Sequence, residues 1–331
     1  MNAPARHGVA CFGEALIDFL ADPPGADDAV RRFSRHAGGA PANVAVGVAR
    51  LGGDARFIGM LGEDMFGCFL LAQLRRHGVD TTQVRWTSAA PTALAFVSLD
   101  EDGERSFSFY RPPAADLLFR AEDFDAAALA SLAVFHCCSN SLTEPGIAEA
   151  TLHGMALAAD AGALASFDLN LRPALWSRGA DPRPVAWRAL ERAQLVKLSR
   201  EELEWLAQDD GEEAVVSRLF ANCARVLLVT DGGAGPIRWW TRSQRGEAPT
   251  FRVDAVDTTA AGDAFVAGLL HRIAALGLDA DRLAIAFDDV ALRGNLLRHA
   301  AACGALATTR YGAFAAMPTR ADVAALLAEA A

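Results

Sequence analysis

The sequence predicts an α/β fold: a mostly parallel central sheet flanked by helices, with a small β-sheet attached. Three observations carry this. Short apolar runs of strand length alternate with stretches of helix length, the pattern of βαβ units. The 331 residues are 52% hydrophobic and 22% charged, enough for one large core. One interval breaks the rhythm with two adjacent β-rich runs. No internal repeat or low-complexity linker divides the chain, so residues 1–331 are expected to form a single domain.

Taken in order, Val9–Phe12 opens as a strand. Residues 41–51 have the spacing of a helix, stopped by Gly52-Gly53. Residues 56–60 read as a strand and 66–77 as a helix ending at Gly78. Further strands are expected at Val134–Cys138, Leu164–Asp168, 195–198 and Val226–Thr230, with helices near 146–161, 184–193 and 201–207. A strand-like run at 251–256 leads into a last group of helices. The interruption comes at 92–99 and Arg105–Tyr110, joined by Asp100-Glu101-Asp102-Gly103-Glu104, where Asp-Gly signals a hairpin. With 16–20 and 31–36 it forms a small projecting sheet, expected as a substrate lid built from about 16–36 and 92–111. Phe107, Phe109 and Tyr110 on such a flap call for a partner, which predicts a homodimer through the lid.

Composition excludes several function classes. Of 31 Lys and Arg, a single residue, Lys197, is lysine. No Walker A loop can be written, because no glycines precede Lys197, and no H-R-D or D-F-G of protein kinases follows it. A lysine Schiff base is available only at Lys197. The net charge of −10 and pI of about 5.2 oppose nucleic acid and polybasic membrane anchoring. Neither a signal peptide nor an apolar run of membrane-span length is read. The six cysteines lack a C-x-x-C and sit mostly in apolar segments, which predicts reduced thiols in the cytoplasm. The seven histidines have no zinc spacing.

Two segments carry chemistry. In the first, Asp257-Thr258-Thr259-Ala260-Ala261-Gly262-Asp263-Ala264-Phe265, small residues lead into a helix. The first N–H groups of a helix point outward unpaired and favour an anion, and small side chains let phosphate reach the main chain. Asp263 there reads either as a helix N-cap or as a base beside a phosphate site. The second is His36-Ala37-Gly38-Gly39-Ala40-Pro41-Ala42-Asn43, a tight turn into a helix that can present N–H groups and an amide to sugar hydroxyls.

Together these segments resemble the two signature patterns of the ribokinase-like (PfkB) sugar kinases, from about Val9 to Pro318. The likeness is strongest to the fructokinase branch. It is supported by Phe12-Gly13-Glu14-Ala15-Leu16-Ile17-Asp18-Phe19, Asp102-Gly103-Glu104-Arg105, Phe109-Tyr110-Arg111, Asp168-Leu169-Asn170-Leu171-Arg172 and Ala302-Cys303-Gly304-Ala305-Leu306. The resemblance implies an ATP-dependent kinase that phosphorylates D-fructose to fructose 6-phosphate with Mg²⁺. It places Asp18, Gly38, Gly39 and Asn43 on the sugar, with Arg105, Tyr110 and Arg111 contributed by the lid. Asp263 matches the base, the amides of Ala261, Gly262 and Asp263 the anion hole, and Arg172 a residue near sugar and transferred phosphoryl. Thr230, Gly232, Gly235, Ala260 and Lys197 are expected along the nucleotide. Glu202 matches the acidic residue that holds Mg²⁺ through water. Asp257, Thr259 and the carbonyls of Ala307, Arg310 and Gly312 match a monovalent-cation site that takes K⁺ in many members.

Four positions depart from the family's pattern: Ala260 stands for the usual Gly, Ala301 for Asn, Ser199 for the Asn of N-x-x-E, and Ala316 for a side-chain oxygen at the cation. Three alternatives stay open at this stage. Arg105, Arg111 and Arg172 could clamp the carboxylate of 2-keto-3-deoxygluconate. The departures could mark a non-catalytic binding homologue. A Schiff-base lyase would use Lys197.

Overall fold

The computed structural model describes residues 7–21, 32–99, 105–233 and 235–330, with the side chains of 98, 99 and 105–107 outside the description. The strands are β1 (Val9–Phe12), β2 (Leu16–Ala21), β3 (Phe33–Gly38), β4 (Ala55–Gly62), β5 (Val84–Thr87), β6 (Leu94–Leu99), β7 (Arg105–Tyr110), β8 (Val134–Cys138), β9 (Leu164–Asp168), β10 (Leu195–Ser199), β11 (Val226–Thr230), β12 (Ile237–Trp240) and β13 (Arg245–Ala248).

Nine of these form the main sheet, in the order β13-β12-β11-β10-β9-β8-β1-β4-β5. All neighbours are parallel except β11–β12 and β12–β13, a hairpin that extends one edge. The sequence reading did not anticipate this hairpin. Val9, Ala10, Cys11 and Phe12 are all buried, as a parallel strand covered on both faces must be. On one face Phe12 meets Phe119 at 5.1 Å and Phe135 at 6.1 Å between ring centres. Chain order reverses at β1, which lies between β4 and β8. In an open α/β sheet, ligands bind beyond the carboxyl ends of the strands at such a switch point.

The second sheet runs β3-β2-β6-β7, with β2–β6 parallel and its other pairs antiparallel. It is the small sheet expected from 16–36 and 92–111. Residues 22–31 and the loop 100–104 lie outside the described residues. Residues 251–256 form no strand; their backbone turns to the end of the helix Val290–Ala307, where Thr308 O accepts the N–H groups of Val256 (2.7 Å) and Asp257 (3.0 Å). The alternation of Phe251, Val253 and Ala255 with Arg252 and Asp254 suits a strand, but the segment has no sheet neighbour.

Three helices on one face position the chemistry. Ala40–Arg50, Ala261–Ala275 and Val290–Ala307 pack closely because glycines stand where they cross. A Cβ on Gly47 would lie 2.5 Å from the Cβ of Ala267, and one on Gly268 would lie 2.6 Å from Cys303 Sγ. One helical turn before Gly47 is Asn43, and one turn before Ala267 is Asp263. The close crossing thus brings those two side chains together.

Candidate active site

The side expected to take the sugar is built from the loop after β1, strand β2 and the turn after β3. At Gly38 any Cβ would collide with Asp18 Oδ2, so the carboxylate lies flat on the turn. At Gly39 the backbone has φ +104°, and a Cβ would lie 2.5 Å from the carbonyl oxygen of Glu14. Only glycine meets both conditions. Burial, then the carboxylates of Asp263 and Glu14, push the Asp18 carboxyl up to about 7.

Asn43 Nδ2 donates to Asp263 Oδ2 at 2.8 Å. Both residues are buried, and Asp263 sits in the first turn of its helix. Burial raises the Asp263 carboxyl above its ordinary range, while the Asn43 bond and the charges of Arg172 and Lys197 pull it back. A carboxylate raised this way is a better proton acceptor than an exposed one.

The turn into that helix is strained. Ala260, its N-cap, has φ +57° and ψ +15°, the left-handed region. An L-residue with a Cβ pays roughly 1–2 kcal/mol there. The conformation turns the amides of the first helical turn toward open space, although Ala261 N–H also donates to Thr258 O at 3.3 Å.

Behind these amides lies a buried ion pair. Lys197 Nζ, from the middle of β10, is 3.1 Å from both carboxylate oxygens of Asp168, the last residue of β9. A Cβ on Gly262 would lie 3.3 Å from Lys197 Nζ, so the ammonium stands beside the first turn of Ala261–Ala275. Burial opposes its charge, but Asp168, Glu202 and Asp263 together hold it above the ordinary lysine value. Arg172 is exposed on the loop after β9, and its charge is felt at Asp263.

A cavity of about 690 Å³ continues from this point. Thr230, Gly232 and Gly233 line one side, Ala261 and Gly262 the end, and Phe251 to Val253, Phe265, Ala301, Gly304 and Ala305 the rest. Phe251, Val253, Phe265, Ala301 and Ala305 give it an apolar stretch, and Thr230, Arg252, Thr258 and the helix N-terminus a polar one, which fits a flat aromatic base at one end and phosphates at the other.

The chain matches the family described as pfkB family carbohydrate kinase over residues 6–320. It is 44% identical to Fructokinase-1 of Zea mays over 99% of this chain and all of that protein. The chain belongs to the PfkB family of carbohydrate kinases. Among solved PfkB-like structures, the fructokinase of Xylella fastidiosa with bound ATP is 53% identical, with a TM-score of 0.93 over 98% of both chains. The fructokinase of Vibrio cholerae O395, in a fructose-, ADP- and calcium-bound form, is 33% identical with a TM-score of 0.83, covering 98% of this chain and 99% of that one.

Against the PfkB expectation, three assignments change, and a fourth residue, Glu202, gains a structural role. Arg111 does not face the sugar: its side chain is 2% exposed and paired with Asp116 at 2.6 Å. Tyr110 points away from Asp18. Asp18, Ala95 and Phe109 are opposite one another across β2, β6 and β7 and share a face, whereas Tyr110 pairs with Leu94 on the other. There Tyr110 is 64% exposed and touches Phe96. Gly235 does not line the nucleotide cavity and packs on Asp231. Glu202 forms a reciprocal helix cap with Ser199, its Oε2 accepting Ser199 N–H and its Oε1 accepting Leu171 N–H, both at 2.7 Å. It therefore ties the 168–172 loop to the helix, and reaches a metal only through the lone pairs left over. Arg105 begins β7, with its side chain outside the described residues.

The expected cation ligands converge. Asp257 Oδ1 accepts Thr259 N–H at 2.8 Å and Oδ2 accepts Gly312 N–H at 3.0 Å, which brings 257–259 and 310–312 together at the carbonyl end of Val290–Ala307. A carboxylate beside helix-terminal carbonyls is a suitable donor set for a hard cation. Phe109, expected from the sequence as a dimer-contact aromatic, shares a face of the small sheet with Asp18. Strand alternation would have separated it from Tyr110 had the register been known.

Proposed function

We propose that this PfkB kinase transfers the γ-phosphoryl group of ATP to D-fructose, giving fructose 6-phosphate and ADP. The carrying observation is the Asn43–Asp263 bond at the helix N-terminus that closes the 690 Å³ cavity. It sets a base between a hydroxyl-binding turn and a phosphate-binding one. The related fructokinases, one with bound ATP and one with bound fructose and ADP, support this pair of substrates.

Asp18, Gly38, Gly39 and Asn43 hold the sugar. Asp263 accepts the proton of the attacking hydroxyl as its oxygen bonds to phosphorus and the bond from the γ-phosphorus to the β,γ-bridging oxygen breaks. The transition state is loose, so orientation and charge stabilisation do most of the work. The first-turn amides of Ala261–Ala275, with Lys197 and Arg172, stabilise charge on the transferring group. The β2/β3/β6/β7 sheet acts as a lid that excludes water, with Phe109 toward the sugar. A bound Mg²⁺ supplies charge neutralisation across the phosphates; Glu202 would hold it through water. K⁺ would be held by Asp257 and the carbonyls of Ala307, Arg310 and Gly312. The lid edge, with Tyr110 64% and Phe33 40% exposed, forms the homodimer contact.

A substrate carboxylate is disfavoured because Arg111, one arm of that clamp, is already paired with Asp116. The test compares kcat/KM for fructose, ribose, adenosine and 2-keto-3-deoxygluconate with coupled ADP detection. Fructose is expected to lead, and a higher value for another acceptor overturns the assignment. Sedimentation tests the dimer.

A further inference from the structure

Two buried charges behind the sugar turn have no part in the mechanism above. Glu14 is 1% exposed and Arg111 5%. A chain of bonds joins them. Arg111 immediately follows the lid strand β7, and its Nε donates to Asp116 Oδ2 at 2.8 Å. Its Nη2 donates to the main-chain carbonyl of Asn140 at 2.7 Å. Asn140 Nδ2 in turn donates to Glu14 Oε1 at 2.9 Å. The same Oε1 accepts the N–H of Ala40 at 3.1 Å.

Ala40 is the first residue of Ala40–Arg50, and its N–H is among those a helix cannot bond itself. The N-cap is Gly39, which has no side chain to offer. Glu14 does the capping from another loop, with its carboxylate at the positive end of the helix. The backbone interlocks as well, since Gly39 rests on the Glu14 carbonyl and Pro41 on Gly13. Asn43 lies in this first turn and holds Asp263.

We propose that Glu14 is a positioning residue for phosphoryl transfer, and that Arg111, Asp116 and Asn140 are the arm by which the end of the lid strand sets it. Through Ala40 the arm fixes the helix start that aims Asn43 at Asp263. Apolar residues of equal volume would fill the space without the cost of burying charge. A charged, hydrogen-bonded chain adds direction: it holds one oxygen at one N–H. Burial pushes the Glu14 carboxyl up while Arg111 and Asn140 pull it back, and Asp116 and Glu14 together keep Arg111 charged.

The proposal rests on the reading of Asn43 and Asp263 as sugar ligand and base. Its test is steady-state kinetics on wild type, Glu14→Gln, Glu14→Ala and Asn140→Ala, each with thermal unfolding as the fold control. Glu14→Ala is expected to lower sugar kcat/KM by about 10²-fold, the effect of a misplacement of about 1 Å, with the KM for ATP unchanged. Glu14→Gln keeps an acceptor oxygen and is expected to restore most of that loss. Asn140→Ala removes the bridge but keeps both charges, and is expected to shift the same parameter less. The proposal is overturned if a folded Glu14→Ala matches wild type, if ATP KM changes as much as sugar kcat/KM, or if Gln rescues nothing. Should Glu14→Ala not fold, an unaltered sugar kcat/KM in Asn140→Ala overturns it. A wild type silent toward every sugar overturns both readings; an active wild type with unaltered variants overturns this one alone.

Discussion

Lys197 and Asp168 form an ion pair at 3.1 Å, side by side on two neighbouring strands, with the ammonium against Gly262. Removing one partner of a buried pair leaves an uncompensated charge, at a cost of roughly 3–5 kcal/mol. Lys197→Met is therefore expected to lower the unfolding free energy by that amount and to raise the KM for ATP. Lys197→Arg keeps the charge but not the compact head, and is expected to fold while binding ATP less tightly. Denaturant unfolding and ATP kinetics check both. If Lys197→Arg leaves KM for ATP and kcat unchanged, the lysine has no role at the phosphates.

The Asn43–Asp263 bond predicts a split between binding and turnover. Asp263→Asn keeps a polar partner for Asn43 and removes the proton acceptor. Sugar binding should be nearly intact by calorimetry while kcat falls by about 10²–10⁴-fold, the usual worth of a general base. Near-normal turnover would remove Asp263 from the role.

At Ala260 the backbone has φ +57°, a conformation glycine adopts without penalty. Ala260→Gly should stabilise the fold by about 1–2 kcal/mol, read as a shift of the denaturant midpoint at constant m. A destabilised variant would show that the alanine methyl makes compensating contacts.

Sugar affinity should depend on pH. Asp18 is pushed up to about 7 by burial and by the carboxylates of Asp263 and Glu14. Only the ionised carboxylate accepts bonds from sugar hydroxyls on both oxygens, so kcat/KM should fall as pH drops through about 7. The limb belongs to the Asp18–Asp263 pair rather than to either alone. Asp18→Asn removes one like charge, so the limb, measured on the reduced activity that remains, should move to lower pH. A limb that stays in place would mean the two carboxylates do not interact.

The lid register separates two adjacent aromatics. Phe109→Ala should raise the sugar KM, and Tyr110→Ala should leave it near wild type while weakening self-association. The reverse pattern, measured by kinetics and sedimentation, would put the other face over the sugar.

Much of this was legible in the sequence. The apolar runs ending at Phe12, Cys138, Asp168 and Thr230 are buried on both faces, so each announced a parallel strand. The Gly38-Gly39 turn could be read because a tight turn into a helix demands particular residues at fixed spacing, whereas Asp263 stayed open between helix cap and base until the family resemblance was weighed. What stayed hidden depends on pairing across distance. Arg111 and Tyr110 looked alike as lid residues, because the pattern of a strand does not say which edge it joins. Glu202 carries a reciprocal cap with Ser199 as well as its expected metal role, and residue type alone does not reveal the cap. The run 251–256 had the composition of a strand and no neighbour to pair with.

Asn43 and Asp263 are 220 residues apart along the chain. As the protein is synthesised, the hydroxyl-binding turn emerges early and its proton acceptor near the end. Domains collapse as units when their last core elements arrive. The helix packed on Gly47 is one of those late elements, so a nascent chain can carry the sugar turn and lid while having no means of transferring phosphate. Activity becomes a late checkpoint of synthesis, acquired only with the closing helices.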